Sequence, residues 1–146
     1  MSNKAKTWSL LARRVRTRAS AALAEVLKAS ERRAELQKSY QRLNVLHADY
    51  LARLDALQDE RHSMIENMTY RSYIAYVAEL QARLALQLEA ARETLMHAKQ
   101  LHQALEAERN KMTQLAESAL ETERRRRSAA EQTKMDALAI TRFNLS

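Results

Sequence analysis

The feature that most constrains this chain is the complete absence of glycine and proline over 146 residues. Average usage would supply about 17 such residues in a chain of this length. These residues form the tight turns and left-handed corners that hairpins and phosphate-binding loops need. The sequence is rich instead in alanine, leucine, glutamate, arginine, lysine and glutamine, which are strong helix formers. It therefore predicts an all-α fold of long helices with few bends and argues against sheets and Rossmann domains.

Residues that could carry catalysis or bind metal are missing or unsuitably spaced. The chain has no cysteine, which excludes disulfides and thiolate sites. No two of its four histidines stand three or four residues apart, so they cannot form a two-histidine metal face on a helix. No glycine is present to shape an oxyanion hole. We therefore expect no enzyme activity, no metal and no cofactor.

Apolar residues recur with heptad spacing, which predicts a coiled coil. The first half carries two such columns, the second of which is interrupted by Arg33, His47 and Arg61. The second half repeats the pattern more loosely around one central column. The first column consists of Trp8, Val15, Ala22, Ala29, Leu36, Leu43, Tyr50, Leu57 and Met64, and the central column of the second half of Val77, Leu84, Ala91, Ala98, Leu105, Met112 and Ala119.

The best turn signal between the two halves is Glu66-Asn67-Met68-Thr69. Asparagine tolerates the left-handed conformation that ends a helix, and threonine can cap the next helix. The sequence thus predicts a long antiparallel two-helix coiled-coil hairpin, a single domain over residues 1–146. Its first helix would span about 8–65, its turn 66–69 and its second helix about 70–140. Residue i would then face roughly residue 134 − i. A single uninterrupted helix is the alternative.

The net charge of +7 is unevenly distributed. Residues 1–20 carry six basic residues and no acid, residues 124–146 carry six basic and two acidic residues, and residues 21–123 carry thirteen basic and sixteen acidic residues. All of the excess positive charge is therefore near the two ends of the sequence. A chain that folds back brings these basic segments together.

Each basic segment has more than one interpretation. The stretch TWSLLARRVRTRAS predicts an amphipathic basic helix that could contact an anionic membrane, act as a targeting segment or begin the coiled coil. The run ERRRR, residues 123–127, could bind nucleic-acid phosphates, dock on a protein or end a solvated helix. Four leucines lie off the heptad columns and leave open a third packing surface: Leu10, Leu23, Leu27 and Leu46.

Three stretches together resemble the FliJ family of the bacterial flagellar type III export apparatus, and the resemblance extends over nearly the whole chain. They are the region of Tyr50, the segment YRSYIAYVAEL followed by LALQL (70–88), and EQTKMDALA (131–139). Ala137 stands where the family usually has glutamate. The family is related to the YscO-type stalk proteins of virulence secretion systems.

The resemblance implies a non-enzymatic stalk that docks in a hexameric export ATPase, promotes its assembly and activity, and couples it to the export-gate membrane protein. Export chaperones would be further partners. The expected ATPase-docking residues are Arg13, Arg14, Val15, Arg16, Arg18, Arg124, Arg125, Arg126, Arg127, Met135 and Leu138. The export-gate contacts of the family map onto Leu43, Leu46, Tyr50, Tyr73, Val77, Leu80 and Leu84.

The resemblance also implies a protein of motile bacteria, cytoplasmic and peripherally associated with the inner membrane at the flagellar base. We expect a monomer when the protein is free, and no nucleic-acid partner. Three alternatives stay open at this point: a YscO-type stalk of a virulence system, a basic nucleic-acid-binding coiled coil, and a scaffold that dimerises through parallel strands.

Overall fold

The computed structural model describes residues 3–59 and 64–145, and every one of them is α-helical. Helix α1 spans Asn3–Asp59 and helix α2 spans Met64–Leu145. The two helices pack against each other, and the described residues include no strand and no residue with positive φ. The predicted all-α fold is confirmed, and it follows from a chain that lacks the residues which bend or interrupt helices.

The position of the break between the helices differs from the prediction. Residues 66–69 lie inside α2, which begins at Met64. Thr69 donates its hydroxyl to the carbonyl oxygen of Ile65 at 2.8 Å, and Arg71 donates to the side-chain oxygen of Asn67 at 3.4 Å. Both polar side chains are therefore satisfied within a continuous helix. Helix α1 ends at Asp59, residues 60–63 lie outside the described residues, and residue 65, the predicted end of the first helix, lies inside α2.

The earlier break changes the register. Gln81 donates to Asn44 at 2.7 Å, and Arg92 donates to Gln37 at 3.3 Å. The later residue of α1, Asn44, thus pairs with the earlier residue of α2, Gln81, so the two helices run antiparallel. Facing residue numbers sum to 125 and 129 in these two pairs, instead of the predicted 134. Tyr50 accordingly contacts Tyr70 and Tyr73, not Leu84 as the predicted register required.

The contacts of the chain divide into two compact units. Unit 2, residues 23–100, buries large side chains, with Leu36, Leu88 and Ala91 in one cluster and Tyr40 and Leu84 packed against it. A leucine of this kind contributes about 1.5–3 kcal/mol when it leaves water. This packing positions the tyrosines and leucines of the predicted gate-contact set.

Unit 1 combines residues 1–22 of the chain with residues 101–146. Its buried residues are small, because α1 contributes Ala5, Ala12, Val15, Ala19 and Ala22 and α2 contributes Ala116. Beyond this seam, every described side chain from Arg124 to Leu145 is exposed. Unit 1 therefore consists of a narrow alanine-lined helix pair followed by a stretch of α2 whose side chains face solvent.

Candidate functional site

The basic surface of unit 1 starts on α1. Arg13, Arg14, Arg16 and Arg18 are all exposed, whereas Val15 is buried in the seam with 5% of its surface accessible. Helical periodicity explains this arrangement, because the seam takes one residue in every three or four and leaves the others outside. Residues 3–22 contain six basic residues and no acidic one. The four arginines therefore form the accessible part of the predicted docking set on α1, and Val15 supports them from inside.

A cavity of about 340 Å³ joins the two basic segments. The indole of Trp8 and the aliphatic side chain of Leu115 contribute apolar walls, while Lys4 and Arg126 contribute positive charge. The remaining lining residues are Ser118, Ala119, Thr122 and Glu123. The fold thus brings a lysine from near the start of α1 beside one arginine of the ERRRR run, in a partly apolar and positively charged cavity.

A second groove in unit 1 has a volume of about 220 Å³. Arg13 and Arg16 line it from α1, and Thr113, Glu117 and Leu120 line it from α2. Ser9, Ala12 and Ala116 complete its walls. Two of the predicted docking arginines therefore lie where the helices meet, so a partner that binds them also contacts α2.

Three arginines of the ERRRR run are held by glutamates one turn earlier. Arg124 and Arg125 bind Glu121 at 2.8 and 3.2 Å, and Arg127 binds Glu123 at 3.1 Å. The hydrogen bond from Arg124 is the main cause that lowers the pKa of Glu121, and the same contact raises the pKa of Arg124. Sequence reasoning missed these glutamates, although their spacing of three and four residues from the arginines predicts such pairs.

These pairs reduce the free positive charge of the run. Arg126 has no ion pair among the described residues, and it is the arginine that lines the cavity beside Trp8. The two pairs with Glu121 are largely exposed and contribute little to stability, whereas Glu123, which binds Arg127, has only 15% of its side chain accessible. All three pairs nevertheless fix the orientation of three guanidinium groups around the helix.

The last part of α2 presents apolar side chains to solvent. Met135 and Leu138, both predicted docking residues, are more than half exposed. Three further exposed apolar residues follow them in the same segment: Ile140, Phe143 and Leu145. Helical spacing places Met135, Leu138 and Leu145 on one side of α2, and exposed apolar side chains grouped in this way are typical of a protein-binding site.

The predicted gate-contact set divides by burial. Val77 is buried with 3% of its surface accessible, and Leu84 packs against the Leu36 cluster. Leu46 and Tyr73 are exposed, while Leu43, Tyr50 and Leu80 are intermediate. Only the exposed and intermediate members are accessible to a partner, whereas Val77 lies in the packing between the helices.

Three tyrosines of unit 2 form an aromatic cluster. The rings of Tyr50 and Tyr73 are stacked at 5.7 Å between centroids, and the ring of Tyr70 meets Tyr50 edge-on at 6.2 Å. Such pairs contribute about 0.5–1.5 kcal/mol beyond the area they bury. Tyr70 was not in the predicted set. It contacts Tyr50 from α2, and Tyr73 is 51% exposed.

The described parts of the chain offer no grouping of three or more histidine and carboxylate side chains suited to a metal ion. None of the described helical segments has the length and apolar character required to cross a bilayer. The surfaces that remain are basic patches, apolar side chains and an aromatic cluster.

Two long helices packed against each other, with exposed charged and apolar surfaces, define an all-α helical hairpin protein. The family model described as the flagellar FliJ protein matches residues 9–146, so the chain belongs to the FliJ family. This family consists of non-catalytic components of flagellar type III protein export. No curated protein and no solved structure is significantly similar to the chain.

Proposed function

We propose that this chain is the central-stalk component of the flagellar export apparatus, which promotes assembly and activity of the hexameric export ATPase and couples it to the export gate. The observation that carries the proposal is the surface of unit 1. Six basic residues and no acid lie on residues 3–22, and Arg126 joins them across a cavity from α2. A narrow helix pair with this charge suits the central opening of a ring lined by carboxylates.

The role in the ATPase is allosteric, not chemical. A stalk can change the activity of a ring only if it binds some states of the ring more tightly than others. Arginines on both helices make this possible, since a rotation or tilt of the ring subunits changes which of them are contacted. The exposed Met135 and Leu138 add apolar contacts, and the energy of such contacts falls off with distance more steeply than the energy of a charge–charge interaction.

The gate contact is assigned to unit 2. Leu46 and Tyr73 offer accessible apolar and aromatic surface, and Tyr50 lies between Tyr70 and Tyr73 as a rigid neighbour. Aromatic side chains held in place lose little entropy on binding, which favours them as interface anchors. The chain would then act at the cytoplasmic side of the inner membrane, where export chaperones also reach it.

The test measures ATP hydrolysis by the export ATPase of the same organism with increasing amounts of this chain. Reversal of Arg13, Arg14, Arg16 and Arg18 to glutamate should abolish most of the stimulation, because it converts the most basic surface to an acidic one. The matched control reverses Arg53, Arg71, Arg83 and Lys99, four exposed basic residues of unit 2. It changes the net charge equally and should leave the stimulation intact.

The outcome separates the proposal from its rivals. Equal stimulation by both fourfold variants, with helicity preserved in circular dichroism, would refute docking through unit 1. Tight binding of the unmodified chain to duplex DNA at physiological salt would instead favour the nucleic-acid interpretation. The ion pairs that hold Arg124, Arg125 and Arg127 argue against the latter, because they reduce the charge available to phosphates.

A further inference from the structure

A second apolar face runs along α1 within unit 2, on the side away from α2. Helical periodicity of 3.6 residues per turn places its members opposite the buried Leu36 and the packed Tyr40. All of its apolar members are exposed, and Val45 is exposed by 70%. We call the following residues the outer face: Leu23, Leu27, Ser30, Ala34, Gln41, Val45, Ala48 and Ala52.

Charged residues follow one edge of the outer face, and the chain does not neutralise most of them. Lys28, Glu31, Glu35, Lys38 and Arg42 take no part in an ion pair within residues 3–59 and 64–145. Asp49, further along the same edge, binds Arg53 at 3.2 Å. The opposite edge is occupied differently, because Gln37 and Asn44 there accept hydrogen bonds from α2. The charged edge is therefore available to a partner.

We propose that the outer face binds the outer face of a second copy of this chain, in antiparallel orientation. When the symmetry axis passes between residues 37 and 38, each residue i faces residue 75 − i of the other copy, so large side chains meet small ones. Leu23 then faces Ala52, Leu27 faces Ala48, and Val45 faces Ser30. Such alternation allows two helices to approach closely without voids.

The charged edge supports this register independently. In the antiparallel arrangement, the same edge of both copies lies on one side of the interface. Lys28 then comes within two residues of Asp49, Glu31 of Arg42 and Glu35 of Lys38, and symmetry doubles each pair. All of these pairs are of opposite sign, and the like-charge contact in this register is Lys38 with Lys38 of the second copy, next to the symmetry axis. A parallel arrangement places the charged edges of the two copies on opposite sides of the interface, each beside the edge that carries Gln37 and Asn44, so none of these pairs forms.

The size of the outer face predicts a weak, reversible dimer. Residues 23–52 form a stretch of helix about 45 Å long, and a helix is about 10 Å wide. The footprint is then about 450 Å² on each copy, or about 900 Å² in total, which is below the lower limit for stable protein complexes. We expect a dissociation constant on the order of 10–100 μM. This affinity is compatible with the monomer predicted from the sequence, which would predominate below about 10 μM.

Sedimentation equilibrium of the full chain between 1 and about 300 μM tests the association. The unmodified chain should pass from monomer to dimer, and Glu31→Lys with Glu35→Lys should raise the dissociation constant at least about tenfold by removing four opposite-charge pairs. Adding Lys38→Glu and Arg42→Glu to that variant restores every pair and should restore the dimer. The control, Glu93→Lys with Glu108→Lys, makes the same change in net charge on exposed residues of α2 and should dimerise normally.

Spin labels test the orientation. The chain has no cysteine, so single substitutions Ala34→Cys and Ala52→Cys each accept one label per copy. The antiparallel register predicts a separation of about 15 Å between labels at position 34 and about 45 Å between labels at position 52. Short distances at both positions would show a parallel dimer and overturn the proposal. Absence of a dimer at the highest concentration, or a dimer unaffected by the Glu31 and Glu35 substitutions, would overturn it as well.

Discussion

Truncation of Val77 and of Leu46 separates packing from partner binding in the gate-contact set. Val77 is 3% exposed, and Val77→Ala removes two methyl groups from the core of unit 2. At about 0.8 kcal/mol for each group, with an added cavity term, the loss of stability is about 2 kcal/mol. A domain of this length then melts about 6 °C lower. Leu46 is already 37% exposed, so Leu46→Ala should cost less than about 1 kcal/mol.

For affinity to the gate linker, Leu46→Ala should have the larger effect and Val77→Ala the smaller one. A protein that retains about 3 kcal/mol of stability is still about 99% folded, so the affinity of Val77→Ala for the gate linker should change less than about twofold at 20 °C. Leu46→Ala removes a surface contact, and its affinity should fall about five- to thirtyfold, the equivalent of 1–2 kcal/mol.

The assay is calorimetric titration of each variant with the linker of the cognate export-gate protein, with thermal melting of the same samples. Val45→Ala provides the matched control, because it makes the same chemical change as Val77→Ala at a residue that is 70% exposed. At concentrations below about 10 μM, where the outer-face dimer does not form, the control should melt and bind like the unmodified chain. A larger loss of affinity in Val77→Ala than in Leu46→Ala, in samples that are fully folded, would refute this division of the set.

Two further predictions concern α2. Deletion of residues 128–146 should lower the melting temperature by less than about 2 °C, because every described side chain from Arg124 onward is exposed. The deletion should nevertheless reduce ATPase stimulation, because it removes Met135 and Leu138. A fall of many degrees in the melting temperature would contradict the prediction. The lowered pKa of Glu121 means that its pairing with Arg124 stabilises the folded chain at pH values above the ordinary 4.5, and that this contribution is lost as pH falls through the folded pKa. Glu121→Gln should therefore reduce thermal stability at pH 7 but not at pH 2, and an equal reduction at both would refute the assignment.

Much of the fold follows from the sequence because its signals are long. Heptad columns over most of the chain predict two helices, and the absence of glycine and proline leaves few other possibilities. The break was misplaced because the turn signal was local and ambiguous. Asn67 and Thr69 can end or cap a helix, but in α2 their neighbours one turn away satisfy both side chains.

The site was predictable to the extent that it depends on local spacing. Burial of Val15 and Val77 follows from their place in the heptad columns, and the Glu121 and Glu123 pairs follow from helix geometry. The cavity beside Trp8 depends on which residues of α2 face α1. The predicted register is off by five to nine residues, which changes the residues of α2 that face Trp8, so no local pattern could have identified Arg126 as the arginine that lines the cavity.

The distribution of aromatic residues gives the two units separate optical signals. The single tryptophan, Trp8, lines the cavity of unit 1, whereas all five tyrosines lie within unit 2. Indole emission therefore reports on the alanine-lined pair, and near-ultraviolet dichroism of the stacked phenol rings reports on the leucine-lined pair. Heating one unlabelled sample while both signals are followed shows whether the two units unfold as one cooperative block or in succession. The same two signals show which unit an added ATPase or gate fragment touches first.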